Sequence, residues 1–194
     1  MSKAALFAAA LLLAQASQAA AQSFPPVVPP PADTERDGSH DFDFLIGDWK
    51  AHVKRLPDRL VGSTKWVEYD GRSNHHKVLG TNANLEDFEV DDPKDHLHIK
   101  AQTLRVYNPA SHQWSIYGLD LDAGTVGLPA TIGSFENGVG RFYDYEDWKG
   151  RWVLVRYEWS HRGPNDALMQ QAFSADGGKS WEVNWICELS RDKP

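Results

Sequence analysis

The amino-acid sequence predicts an all-β domain, an antiparallel up-and-down barrel of about ten strands, on three observations. From about residue 40 onward, short segments alternate apolar and polar residues with the period of two that half-buried strands require. Glu136-Asn137-Gly138, Trp148-Lys149-Gly150 and Asp176-Gly177-Gly178 are hairpin turns by composition, because Asn-Gly and Gly-containing pairs supply the positive φ of tight turns. No segment sustains a long helical period.

The strands follow in order. Trp49, Ala51 and Val53 share one face of the first, with Lys50, His52 and Lys54 on the other. Further strands are expected over Ser63–Tyr69, His75–Gly80, Leu85–Val90 and Ile99–Tyr107. Asn108-Pro109-Ala110-Ser111 then reads as a turn into His112–Asp120. Ile132–Glu136, Gly140–Asp147, Arg151–His161, Ala167–Phe173 and Trp181–Leu189 complete the series. The last pattern is the cleanest, with Trp181, Val183, Trp185, Cys187 and Leu189 on one side. Short connections between so many strands imply a sandwich or an up-and-down barrel.

Residues 1–21 read as a signal peptide. Lys3 supplies the positive start, Ala4–Ala14 the apolar stretch and Ala19-Ala20-Ala21 a cleavage site, so export to the periplasm or beyond is expected. The apolar stretch is shorter than the ~20 residues a membrane span needs, and no second stretch reaches that length. Residues 22–39 are rich in proline and then acidic, which favours an extended tether, and the barrel domain is expected over 40–194. A formal charge of −7 argues against nucleic acid or an anionic membrane surface as partner, since both require a basic footprint. With Cys187 the single cysteine, no intrachain disulfide is possible, and its apolar sequence neighbours suit a buried structural thiol.

Gly47-Asp48-Trp49 at the start of the first strand resembles the G-x-W signature of lipocalins and their calycin relatives. The resemblance implies a short 3₁₀ turn before it, suited by Asp41–Ile46, and a cation near the end of the last strand covering the tryptophan, which here is Arg191. His40-Asp41-Phe42-Asp43-Phe44, Arg105-Val106-Tyr107-Asn108-Pro109 with Trp114, and Phe173 through Trp181 are similar to pieces of a bacterial, often exported, lipocalin-like domain family of unknown function. That resemblance implies a fold and a site location within the barrel, not a reaction. Ser174-x-Asp176-x-Gly178-x-x-Trp181 also looks like the Asp-box of sialidase propellers. One copy without a repeat of about 50 residues indicates instead a hairpin in which Asp176 caps turn amides, Gly178 takes positive φ and Trp181 packs behind.

A closed barrel of ten strands encloses a cavity walled by side chains of alternate parity. The expected liners are Trp66, Arg105, Tyr107, Trp114, Tyr143, Arg156 and Tyr157, a set rich in aromatics and therefore suited to a flat or apolar ligand. Arg156 and Glu158 admit the plainer reading of a solvent-facing pair. Histidines suggest no metal centre: His75 and His76 are adjacent and must face opposite ways on a strand, and His96-x-His98 lacks a third ligand. The haem-binding nitrobindin-like relatives use a late inward histidine, and nothing after His161 supplies one. No phosphate loop or serine elbow occurs, and no cofactor is expected. Acid–base pairs such as Glu68 with His76, or Tyr143 with Asp144, depend on whether the fold brings them together. The leading expectation is an exported protein binding a small apolar or amphipathic molecule. The alternatives are an enzyme on the same barrel using Arg156 with a tyrosine or glutamate, and a homodimer without ligand.

Overall fold

The structure is a computed structural model and describes residue 31, residues 35–94 and residues 97–191. The expected leader at 1–21, most of the proline-rich segment and His96 lie outside the described residues. A 3₁₀ turn at Asp43–Leu45 precedes β1 (Gly47–Arg55), β2 (Val67–Lys77), β3 (Asn84–Asp92), β4 (Leu97–Asn108) and β5 (Gln113–Asp120). Then come β6 (Thr125–Val126), β7 (Thr131–Glu136), β8 (Val139–Trp148), β9 (Arg151–Gly163), β10 (Asp166–Ser174) and β11 (Glu182–Ser190).

All pairings are antiparallel, and β11 returns to pair with β1. The last gap is sealed by β4 with β5 and by β5 with β7, so ten strands form a closed barrel. The two-residue β6 is an appendage on β5. Closure pairs each of the ten barrel strands on both sides, which leaves the short β6 as the edge among the described residues.

One strand differs from expectation. Ser63–Tyr69 and His75–Gly80 do not form two strands, because Asp70-Gly71-Arg72-Ser73-Asn74 continues straight through as part of β2, paired with β1 on one side and β3 on the other. The turn-like composition has a packing cause: a Cβ at Gly71 would stand 2.4 Å from the Glu89 carbonyl oxygen, so glycine lets two backbones approach.

One barrel end is plugged by the segment before β1. Phe42 is fully buried there, meeting Trp114, Phe135 and Trp159 edge-on at 5.1, 4.9 and 5.9 Å and stacking on Phe142 at 5.4 Å. Gly38 adds two anchors: its carbonyl accepts from Trp114 Nε1 at 3.0 Å and its amide donates to the Tyr107 hydroxyl at 3.0 Å. Ser39 is buried as well. Gly47 turns the chain into β1 with φ of 113°. Arg191 lies over Trp49, its guanidinium carbon 4.0 Å from the ring centroid, and donates to the Ile46 and Pro164 carbonyls at 2.9 and 3.0 Å. At the other end, Asp176 accepts from the Ser180 amide at 2.9 Å and hydroxyl at 2.6 Å, which together hold its carboxyl well below the usual range. Gly177 and Gly178 take positive φ in the same turn, and Trp181 Nε1 donates to the Gly178 carbonyl at 3.1 Å.

Candidate ligand cavity

Alternation along each strand decides what faces inward. Ser73 and His75 of β2, Asn84 and Glu86 of β3, Arg105 of β4, Thr131 of β7, Asp144 and Glu146 of β8, and Tyr157 and Trp159 of β9 share the parity of the buried core positions. Between the plug and the opposite mouth lies a cavity of about 190 Å³. Its walls are mainly apolar, including Phe88, Ile116, Trp159, Met169, Trp185 and Cys187, with Glu86 and Arg105 nearer the plug and Thr131 and Tyr157 at the wall. Burial pushes the Cys187 thiol well up from its ordinary range, so it contributes volume and not a nucleophile.

The plug side carries a polar network in which Arg105 Nε is left without a partner among the described residues. Arg105 donates through Nη2 to Glu86 Oε2 at 2.5 Å and through Nη1 to Asn84 Oδ1 at 3.1 Å. Ser73 Oγ donates to Glu86 Oε1 at 2.8 Å and lies 2.8 Å from His75 Nε2. The Arg105 guanidinium is sandwiched against Trp159 at 4.9 Å and Phe42 at 5.2 Å. Burial tends to raise the Glu86 carboxyl, but Arg105, with His75 and Ser73, brings it down to about 2. For His75 burial dominates and lowers the imidazole to about 4, so it is neutral near pH 7.

A second polar group stands on β8 and its neighbours, and it is not balanced in the same way. Asp144 is 8% exposed and accepts a short hydrogen bond from the Thr131 hydroxyl through Oδ2. Its other oxygen, Oδ1, is buried with no partner among the described residues. Burial, reinforced by the charge of Glu146, raises the Asp144 carboxyl to about 6. Glu146, also raised by burial, accepts from the Tyr157 hydroxyl at 2.9 Å, and Gln171 Nε2 donates to that hydroxyl at 2.7 Å. Arg59, whose guanidinium lies over Trp148 and Phe173 at 4.8 and 4.9 Å, is the cation that acts on Glu146.

The seven expected liners fall into four groups. Arg105 and Tyr157 line the cavity. Trp114 and Tyr107 serve the plug through Gly38, and Trp66 precedes β2 with 37% of its surface exposed. Tyr143 and Arg156 are on the outer face, because inward parity on β8 and β9 belongs to Asp144 and Tyr157. There Arg156 lies 4.6 Å from the Trp181 ring centroid and Tyr143 packs on the same indole at 6.3 Å. An acid–base role for Arg156 inside the barrel is thereby removed. Neither of the two acid–base pairs that the sequence left open forms: Tyr143 and Asp144 face opposite ways, and Glu68 lies 3.2 Å from His52 Nε2 on the outer surface. The sequence reading missed Glu86, His75 and the Asp144–Glu146 pair. Gly140, Phe142, Asp144 and Glu146 do alternate on one face, so extending the parity of Phe142 would have turned both acids inward.

Compared by sequence, the chain matches no protein-family profile. No curated protein matches it either. In fold it is similar to the S-type phycobiliprotein lyase CPES from Guillardia theta, with a TM-score of 0.57 over 83% of this chain and 96% of that one, at 10% identity. The likeness is one of architecture and supports a calycin- or lipocalin-like barrel.

Proposed function

We propose that this protein is exported and holds a small, predominantly apolar molecule inside its barrel. The observation that carries the reading is the cavity itself: aromatic and aliphatic walls enclosing about 190 Å³, with Glu86, Arg105, Thr131 and Tyr157 among the polar residues of the lining. An apolar cavity of roughly 150 Å³ accommodates benzene, so this one suits a ligand of about ten non-hydrogen atoms. A few polar groups in a mostly apolar lining are what fix the orientation of a bound small molecule. The leader-like residues 1–21 support export. The phycobiliprotein lyase supports a barrel able to hold a small molecule, and 10% identity carries nothing further from it.

Native mass spectrometry of protein purified from its own host tests the reading. The expected result is a retained small molecule that is released on denaturation. A homogeneous unliganded mass, together with no thermal shift from single-ring aromatic or short aliphatic compounds, would contradict it. Acid–base catalysis is a second reading, favoured by the Asp144 carboxyl near 6, which accepts a hydrogen bond from Thr131 of the cavity lining. It predicts that Asp144→Asn abolishes turnover of the retained molecule while leaving it bound.

A further inference from the structure

A glycine inside a strand weakens it, and is kept where the chain bends, where another backbone comes close or where a ligand does. The other glycines inside the barrel strands have a packing reason. A Cβ at Gly71 would collide with the Glu89 carbonyl, one at Gly133 with the Arg141 backbone and one at Gly140 with the Phe135 ring. Gly118 of β5 has no such reason. Its φ is not positive, its register with Thr103 on β4 runs without a bulge, and a Cβ there would meet no atom within 4 Å. Yet it has the inward parity of Trp114 and Ile116 and lines the cavity. Among the described lining residues it is the one that is exposed, and Asp120, next on the same face, is exposed too.

The pairing that closes the barrel between β5 and β7 runs only from Trp114 to Ile116. Past it, β5 is bordered by β6, with the Gly127 amide donating to the Gly118 carbonyl at 2.8 Å, and by residues 121–129, all of them exposed. Across the barrel, the β1–β2 connection covers the end opposite the plug. There Leu56 is buried with its amide donating to the Asn184 carbonyl at 2.9 Å, Leu60 packs against Val153, Val155 and Phe173, and Arg59 lies over Trp148. Resting on the small-molecule reading above, we propose that Gly118 is the size-determining residue of the cavity and its doorway. The ligand enters past it, and the space left by its missing side chain holds the ligand's outermost atoms. A larger side chain at this position takes ligand space without displacing protein.

Calorimetric titration of 2-phenylethanol into the native protein and its variants tests the assignment. Gly118→Val is expected to bind it roughly tenfold more weakly than the native protein, and Gly118→Ala about threefold more weakly. Gly163→Val is the control, because that glycine ends β9 beside the plug, has open space at its Cβ and does not line the cavity. Its affinity should be native. Gly118→Val should melt no lower than the native protein, since a β-branched residue replaces glycine in a strand and its Cβ meets no other atom. The doorway is read in Gly118→Cys, where the added thiol is exposed and Cys187 is buried. Alkylating that thiol with N-benzylmaleimide while 2-phenylethanol is bound should slow its release several-fold, followed by stopped-flow tryptophan fluorescence. Native-like binding or a lowered melt in Gly118→Val, equal weakening in Gly163→Val, or release as fast after alkylation as before would overturn the Gly118 assignment and leave the cavity reading standing. Failure of 2-phenylethanol to bind the native protein would overturn the cavity reading and the assignment with it.

Discussion

Arg105 and Glu86 form an ion pair inside the barrel, Nη2 to Oε2 at 2.5 Å, with both side chains removed from solvent. Such a pair forms the polar side of the cavity and makes its integrity testable. Removing one partner leaves an uncompensated buried charge, which typically costs 3–5 kcal/mol. Arg105→Ala is expected to lose about that much in denaturant unfolding. The double variant Arg105→Met with Glu86→Gln should recover much of the loss, because it removes both charges together. A double variant no more stable than Arg105→Ala would show that the pair is not the source of the cost.

His75 lies beneath this pair, and burial lowers its imidazole to about 4 against an ordinary value near 6.5. The folded form thus resists a proton that the unfolded chain accepts. Stability is fully present above pH 6.5 and falls as the pH drops from there to about 4, by roughly 3 kcal/mol in all. Glu86, held near 2, adds a further loss between pH 4.5 and 2. Proton NMR should show the His75 ring resonances unmoved between pH 8 and pH 5.5. A midpoint near 6.5 would contradict the burial argument.

Asp144 gives the opposite sign. Its carboxyl is raised to about 6 from an ordinary 3.8, so the folded state binds the proton more tightly than the unfolded chain does. The unliganded protein bears the full cost of the buried carboxylate above pH 6 and recovers it as the pH falls toward 4. Asp144→Asn does not titrate and should therefore gain about 3 kcal/mol relative to the native protein between pH 4 and pH 8. Thermal melts of the two proteins across that range check the sign, and a difference independent of pH would contradict it.

Arg191 joins Trp49, the chain leading into β1 and the β9–β10 connection through contacts to Ile46 and Pro164. Arg191→Ala loses a stacked cation and several charge-assisted hydrogen bonds, and about 2 kcal/mol of stability is expected to go with them. Loosening of the plug should appear as faster amide exchange around Phe42 and Leu45. Unchanged exchange there would show that the plug is held by its aromatic contacts alone.

Most of the architecture was legible because it rests on local rules. Alternation and Gly-bearing turns marked the strands, and Gly47-Asp48-Trp49 with Arg191 marked where the barrel starts and ends. Asp70–Asn74 was misread because a Gly placed for backbone approach has the same composition as a turn. The interior was harder to read because facing is a property of register, which one residue of slip reverses. On β9, Arg156 and Tyr157 looked equally suited to a pocket, and only the pairing with β8 and β10 turns the tyrosine in and the arginine out. Glu86 was not singled out and Asp144 was considered only beside Tyr143, since the arginine or threonine that accompanies each acid comes from a distant strand.

The central claim is that the sealed barrel retains a ligand-sized space between the plug and the mouth. A high-resolution crystal structure of the protein soaked with 2-phenylethanol tests it most directly. The expected result is ordered ligand density against Ile116, Trp159, Met169 and Cys187, and loss of that density in Ala101→Phe, whose ring would occupy the same space. Close-packed side chains filling the region, with no density in either protein, would contradict it.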